Sequence, residues 1–252
     1  MALHLIGIGL GDQKDITVRG LELVKKCSKV YLEYYTSFLQ CSVEDLEALY
    51  GKKIIAADRA AIEQGGDAMV DSAKDEDIAV LIIGDVFGAT THWDMYTRAK
   101  EKDIPVEVVH NASILTAIGD TGLQLYKFGR TASIPFPQEN WTIEAYYNVL
   151  KDNEVHGLHT LFLLDLNPMK EKFLSVNDAI QMLIDLEADK QEELIDFDST
   201  MVACARLGTK TAMIKVGKPK DLMAMDFGKP PHCLIVPGRM HFMEEETLER
   251  FR

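Results

Sequence analysis

The stretch LIGIGLGDQKDITVRG, residues 5–20, decides how this chain is read. A short apolar run, Leu3 to Ile8, enters a turn carrying Gly7, Gly9 and Gly11. Asp12 and Asp15 follow, and a helical pattern opens at Thr17. A strand that ends in closely spaced glycines lets its backbone approach a ligand, because glycine has no Cβ in the way and adopts positive φ freely. The spacing departs from the dinucleotide fingerprint GxGxxG: the third glycine comes one position early, and Glu33 is a lone acidic residue at the distance where a ribose contact is wanted. Two readings stand side by side: a tight loop facing a ligand, and a turn that only needs positive φ.

A second loop of the same kind lies further on. The apolar run Ile78 to Ile83 reads as a central parallel strand and ends in Gly84-Asp85-Val86-Phe87-Gly88. Asp85, just past the strand, suits ribose hydroxyls or an ammonium group, and Gly88 admits a ligand close to the backbone. The alternative is that Asp85 only satisfies local amides in a turn. At His110-Asn111-Ala112-Ser113-Ile114, Asn111 or Ser113 caps a short helix whose free amides suit a carboxylate or ring nitrogens. Simple capping is the competing account there.

Outward from these loops, strands and helices alternate. Strands are expected at Lys29–Tyr35, Lys53–Ala57 and Pro105–Val109, with helices at Thr17–Lys26, Val43–Leu49, Ala60–Ala73 and from Thr91, opening a capping box with Asp94, to Lys102. Such alternation implies parallel crossovers and an α/β layer. After Gly119 the pattern changes. Strands are expected at Thr131–Phe136, Leu158–Leu166, Met201–Arg206, Thr211–Val216 and Cys233–Val236, the third and fourth joined hairpin-fashion across Leu207-Gly208. Helices are expected at Thr142–Lys151, Ser175–Leu186, Lys220–Met225 and Glu244–Phe251. The fold class is therefore two α/β domains, residues 1–112 with a mostly parallel sheet and residues 113–252 with a mixed sheet.

The chain has 252 residues and a net charge of −13, which disfavours a broad phosphate-backbone surface. Cys27, Cys41, Cys204 and Cys233 form no CxxC motif, and reduced, mostly buried thiols in a cytoplasmic protein are expected. The amino terminus does not read as a signal peptide, and no apolar run approaches the ~20 residues of a membrane span. The seven histidines form no HExxH and no cluster with metal spacing, so no metal is expected. Of the His156-Gly157-Leu158-His159 pair, one ring is expected to be a satisfied edge residue. No GxSxG elbow is present. The residues alone leave a transferase or a nucleotide-binding module.

Eight segments carry a family resemblance: GLGDQKDITVRGLE (9–22), YLEYYTS (31–37), GDVFGATTH (84–92), HNASI (110–114), GLQLYKFG (122–129), GLHTLFLLD (157–165), ARLG (205–208) and PPHCLIVPGRMHF (230–242). Together, and in this order, they resemble the tetrapyrrole-methylase-like class of S-adenosylmethionine-dependent methyltransferases, and within it the diphthine synthase family of archaeal type. The resemblance implies two α/β domains with the cofactor in the cleft between them, a homodimer, and S-adenosylmethionine as methyl donor. It implies methylation of the amino group of a 3-amino-3-carboxypropyl-modified histidine on translation elongation factor 2, giving trimethylated diphthine in diphthamide biosynthesis. The cofactor positions it implies are Leu10, Asp85, Gly88, Ser113, Ile114, Leu164, Leu207 and His232; it names no catalytic base. The family often has proline where this chain has Val86, which leaves the rigidity of that loop open. A tetrapyrrole substrate on the same fold is the alternative.

Overall fold

The computed structural model describes residues 1–35, 37–58, 66–89, 92–139 and 142–252. They fall into two compact units: Met1–Ala117 with Pro168–Lys170 and Gly208–Lys210, and Ile118–Asn167 with Glu171–Leu207 and Thr211–Arg252. Ser113 and Ile114, expected to open a second domain, thus belong to the first unit.

The first unit is built on five strands, β1 (Leu3–Gly7), β2 (Lys29–Glu33), β3 (Ile54–Ala57), β4 (Ile78–Ile82) and β5 (Val106–Val109), in the order β3-β2-β4-β1-β5. Every pairing is parallel, with Leu5 opposite both Val80 and Val108. The apolar runs of β1 and β4 do not alternate with polar residues because both faces are covered, and all five residues of each are buried. Successive side chains point to opposite faces. Leu3, Leu5, Ile78, Val80 and Ile82 pack with α3 (Gly66–Ser72) and α4 (Trp93–Glu101). Ile6, Ala79, Leu81 and Leu32 pack with α1 (Val18–Lys26) and α2 (Val43–Tyr50).

Local chemistry sets the element ends. Thr17 caps α1 by accepting the Gly20 amide at 3.0 Å. Gly51 ends α2 at φ 67°, the left-handed stop expected of it. Strand β2 stops at Glu33, two residues short of expectation, where the Glu33 carboxylate takes the Tyr35 amide at 2.6 Å. The expected helix 60–73 is described only from Gly66, and the Thr91 capping box lies outside the described residues. A short helix α5 (Ile114–Ala117) closes the unit.

The second unit holds β6 (Ala132–Ile134), β7 (Thr160–Leu164), β10 (Met201–Ala205), β11 (Met213–Gly217) and β12 (His232–Val236), ordered β11-β10-β12-β7-β6. It is the mixed sheet expected: β6 runs parallel to β7 and the other three pairings are antiparallel. The long strand expected from Leu158 to Leu166 is divided at Asp165, whose side chain accepts the Phe136 and Leu166 amides; β8 (Leu166–Asn167) then pairs with β9 (Lys172–Phe173). One face of the sheet is covered by α6 (Ala145–Val155), α7 (Val176–Lys190) and α8 (Pro219–Met223). Helix α7 opens with the reciprocal capping box of Ser175 and Asp178, and α9 (Phe242–Leu248) ends the fold. Among the described residues, no helix is long and apolar enough to cross a membrane.

Candidate functional site

Because β1 and β4 are neighbours, the two glycine loops leave the same edge of the sheet side by side. They bond to each other. The Gly9 amide donates to the Gly84 carbonyl at 3.1 Å, and the Gly84 amide returns to the Gly9 carbonyl at 2.8 Å. Both glycines have positive φ, 79° and 86°, and a Cβ on Gly7 would stand 2.6 Å from the Gly84 oxygen. Neither Asp12 nor Asp15 is held open: Asp15 takes the Gly11 amide at 2.7 Å and Asp12 the Lys14 amide at 2.9 Å. Leu10 packs under Gly208 of the short 208–210 segment, where an added Cβ would meet the Leu10 Cβ at 2.9 Å.

Asp85 joins the second loop to the exit of β5. Its Oδ1 accepts the amides of Phe87 and Gly88 at 2.9 and 3.1 Å; its Oδ2 accepts the Asn111 amide at 3.0 Å and meets His110 Nδ1 at 2.8 Å. Burial alone would raise the carboxyl, but the Asn111 and Phe87 amides and the His110 ring outweigh it and hold Asp85 below the usual carboxylate range. The Asp85 side chain therefore makes the local bonds of the turn account. Those bonds also tie down the loop that carries the fully buried Val86. Gly88 packs against Ser113: an added Cβ would lie 2.6 Å from the Ser113 Cβ.

Sequence reasoning saw in Asn111 only a helix cap. Its side-chain amide instead donates to the Gly7 carbonyl at 3.0 Å and the Asp15 carbonyl at 2.9 Å, joining the β5 exit to the first loop. Glu33 is fully buried beneath the surface, 4.0 Å from the His92 ring. It is not placed as a ribose acceptor would be.

Three of the expected positions lie in the second unit. Leu164, at the end of β7, turns its side chain into the hydrophobic core, which leaves its backbone as the part able to face a ligand. Leu207 is buried directly after β10. His232 opens β12 opposite Ala205, with its ring edge-on to Phe173 and Phe227. Its Nε2 donates to the Lys229 carbonyl at 3.1 Å, so Nδ1 carries a lone pair, buried and, among the described residues, without a partner. Burial lowers its basicity, which keeps the ring neutral. His159 is satisfied on both nitrogens, by Glu244 at 3.0 Å and by the Gly238 amide at 3.0 Å.

The family model for tetrapyrrole (corrin/porphyrin) methylases matches residues 2–222. The chain belongs to this family. As a tetrapyrrole methylase it is an enzyme of methyl transfer. Among its relatives, the diphthine methyl ester synthase of Dictyostelium discoideum is 44% identical over 100% of this chain and 98% of its own. The diphthine synthase of Methanocaldococcus jannaschii is 44% identical over 98% and 97%. A solved structure from Entamoeba histolytica superposes with a TM-score of 0.92 at 43% identity, covering 99% of this chain and 98% of that one.

Tetrapyrrole methylases imply S-adenosylmethionine, and two local features fit it. At Gly84 an added Cβ would occupy a cradle bordered at 3.6–4.0 Å by Leu10 Cδ2, the Ala112 carbonyl and the Ser113 Cα. The space is apolar on one side and polar backbone on the other, and the missing Cβ leaves the Gly84 backbone open to close approach by an apolar ligand group. The unpaired Nδ1 of His232 is an acceptor awaiting an N–H donor, which adenine carries.

Proposed function

We propose that this tetrapyrrole methylase transfers methyl groups from S-adenosylmethionine to the amino group of 3-amino-3-carboxypropyl-histidine on translation elongation factor 2, giving diphthine for diphthamide biosynthesis. What carries this reading is that likeness to proteins named for diphthine synthesis runs along the whole chain rather than over the family core alone. We assign cofactor contacts to Leu10, Asp85, Gly88, Ser113, Ile114, Leu164, Leu207 and His232, and expect a cytoplasmic homodimer.

When bound, the donor supplies a methyl group already activated by its sulfonium charge. The chain has to hold a neutral amine ~3–3.5 Å from that carbon, in line with the departing sulfur. The glycines keep backbone close to the donor without side-chain bulk, and the bonds of Asp85 and Asn111 fix the loops in advance, so little ordering remains for the reaction step.

A second reading adds a further methyl to the carboxylate. It is favoured by relatives named diphthine methyl ester synthase, such as that of Arabidopsis thaliana at 45% identity. Mass spectrometry of elongation factor 2 carrying the unmethylated modified histidine, after incubation with enzyme and donor, separates the two. Gains that stop at three methyls support diphthine, and a fourth that mild alkali removes supports the ester. No gain on the factor, with methyl transfer to a precorrin instead, overturns both.

A further inference from the structure

Each amine methylation begins with an amine that has lost its proton, and a base near the reacting nitrogen that can return protons to water speeds that loss. We propose that His110 is that base, with Asp85 as the positioning residue behind it; this rests on the amine-methylation reading above.

His110 directly follows β5, at the sheet edge from which both glycine loops leave. Its Nδ1 lies 2.8 Å from Asp85 Oδ2. Asp85, ionised and accepting three backbone amides, can only accept from the ring, so the hydrogen is on Nδ1 and the lone pair on Nε2. The His110 side chain is 67% exposed, so Nε2 opens to solvent, and the ring is steadied edge-on by Phe87 at 6.0 Å. Among the described residues, Asp85 is the charged group facing the ring.

The other candidates at this edge are spent or enclosed. Asp85 uses both oxygens, Asp15 holds the Gly11 amide and Asp12 the Lys14 amide. His92 and Glu33 have no exposed side-chain surface among the described residues.

The step balances. Nε2 takes one proton from the substrate ammonium, leaving a neutral amine and an imidazolium whose Nδ1 stays hydrogen-bonded to Asp85. The amine's lone pair forms the N–C bond as the C–S bond breaks, and the thioether keeps that electron pair. The exposed imidazolium releases its proton to water before the next methylation. Transfer to a carboxylate needs no such proton removal.

The test uses the full chain, elongation factor 2 carrying the unmethylated modified histidine, and S-adenosylhomocysteine as the binding probe. In His110→Asn, whose amide nitrogen stands where Nδ1 stood and still donates to Asp85, the maximal rate of amine methylation is expected to fall about 10²–10⁴-fold while calorimetric affinity stays within about 2-fold. The remaining rate should climb with pH as the free amine accumulates, and imidazole should restore part of it in His110→Ala. Wild-type rates in His110→Asn, a parallel loss of cofactor affinity, or no imidazole rescue overturns the assignment. An inactive wild-type enzyme on the same factor defeats the substrate reading instead.

Discussion

At Gly88 a side chain meets protein before it meets ligand. From sequence, a bulky residue there is expected to fill a ligand slot. In the structure its Cβ would lie 2.6 Å from the Ser113 Cβ and 2.8 Å from Oγ. Gly88→Val must therefore push Ser113 and the Asp85 loop apart. Loss of cofactor binding by calorimetry is expected, with a stability cost of about 1–3 kcal/mol in chemical denaturation. Unchanged affinity would mean that the Gly88–Ser113 contact does not shape the site. Gly9 is constrained for a second reason: its φ is 79° and an added Cβ would stand 2.6 Å from that of Asp15. Gly9→Ala is expected to cost about 1–3 kcal/mol, read as a lower denaturation midpoint.

Among elements, α7 tests how much one cap contributes. Ser175 accepts the Asp178 amide at 3.1 Å while Asp178 accepts the Ser175 amide at 2.8 Å. Ser175→Ala should remove about 1 kcal/mol of stability, and an unaltered midpoint would show the cap to be redundant. This cap was legible in sequence because the serine, the acid three residues on and the apolar period all agree. So were the parallel strands of the first unit, whose apolar runs carry the signal of a sheet covered on both faces. Strand ends were less legible. Glu33 ends its strand by taking the Tyr35 amide beyond it, and Asp165 by taking the Leu166 amide and, from 29 residues earlier, the Phe136 amide, a choice that depends on where the carboxylate points. At the site, the paired glycine loops were readable as two strand ends brought together. The role of Asn111 was not, since nothing local announces a partner 104 residues away. The Asp85–His110 contact was hidden for the same reason.

For the molecule as a whole, buried ionisable groups predict acid sensitivity. Burial pushes His92, His159 and His232 below the ordinary value of 6.5, so the folded state keeps them neutral while the unfolded chain takes up protons. Stability should begin to fall as pH drops below about 6.5. Burial by itself would raise Glu244, but the His241 amide, Lys127, the Gln124 amide and His159 hold it at about 2. Its contribution is complete above the unfolded value of 4.5 and is lost as pH falls through about 2. Urea denaturation across a pH series should show both declines. Glu244→Gln should lower stability at neutral pH by about 3–5 kcal/mol and flatten the more acidic one. A flat profile from pH 7 to 3 would contradict this account.

The reciprocal bonds between Gly9 and Gly84 carry a consequence for how the enzyme can change. Each loop supplies both a donor and an acceptor to the other, so neither can be lengthened, shortened or exchanged alone without stranding a polar group in its neighbour. Residues 7–11 and 84–88 therefore form one inheritable part despite their separation in sequence. Anyone redesigning donor specificity must graft them together, and a chimera that carries one loop without the other should bind neither parent's ligand well.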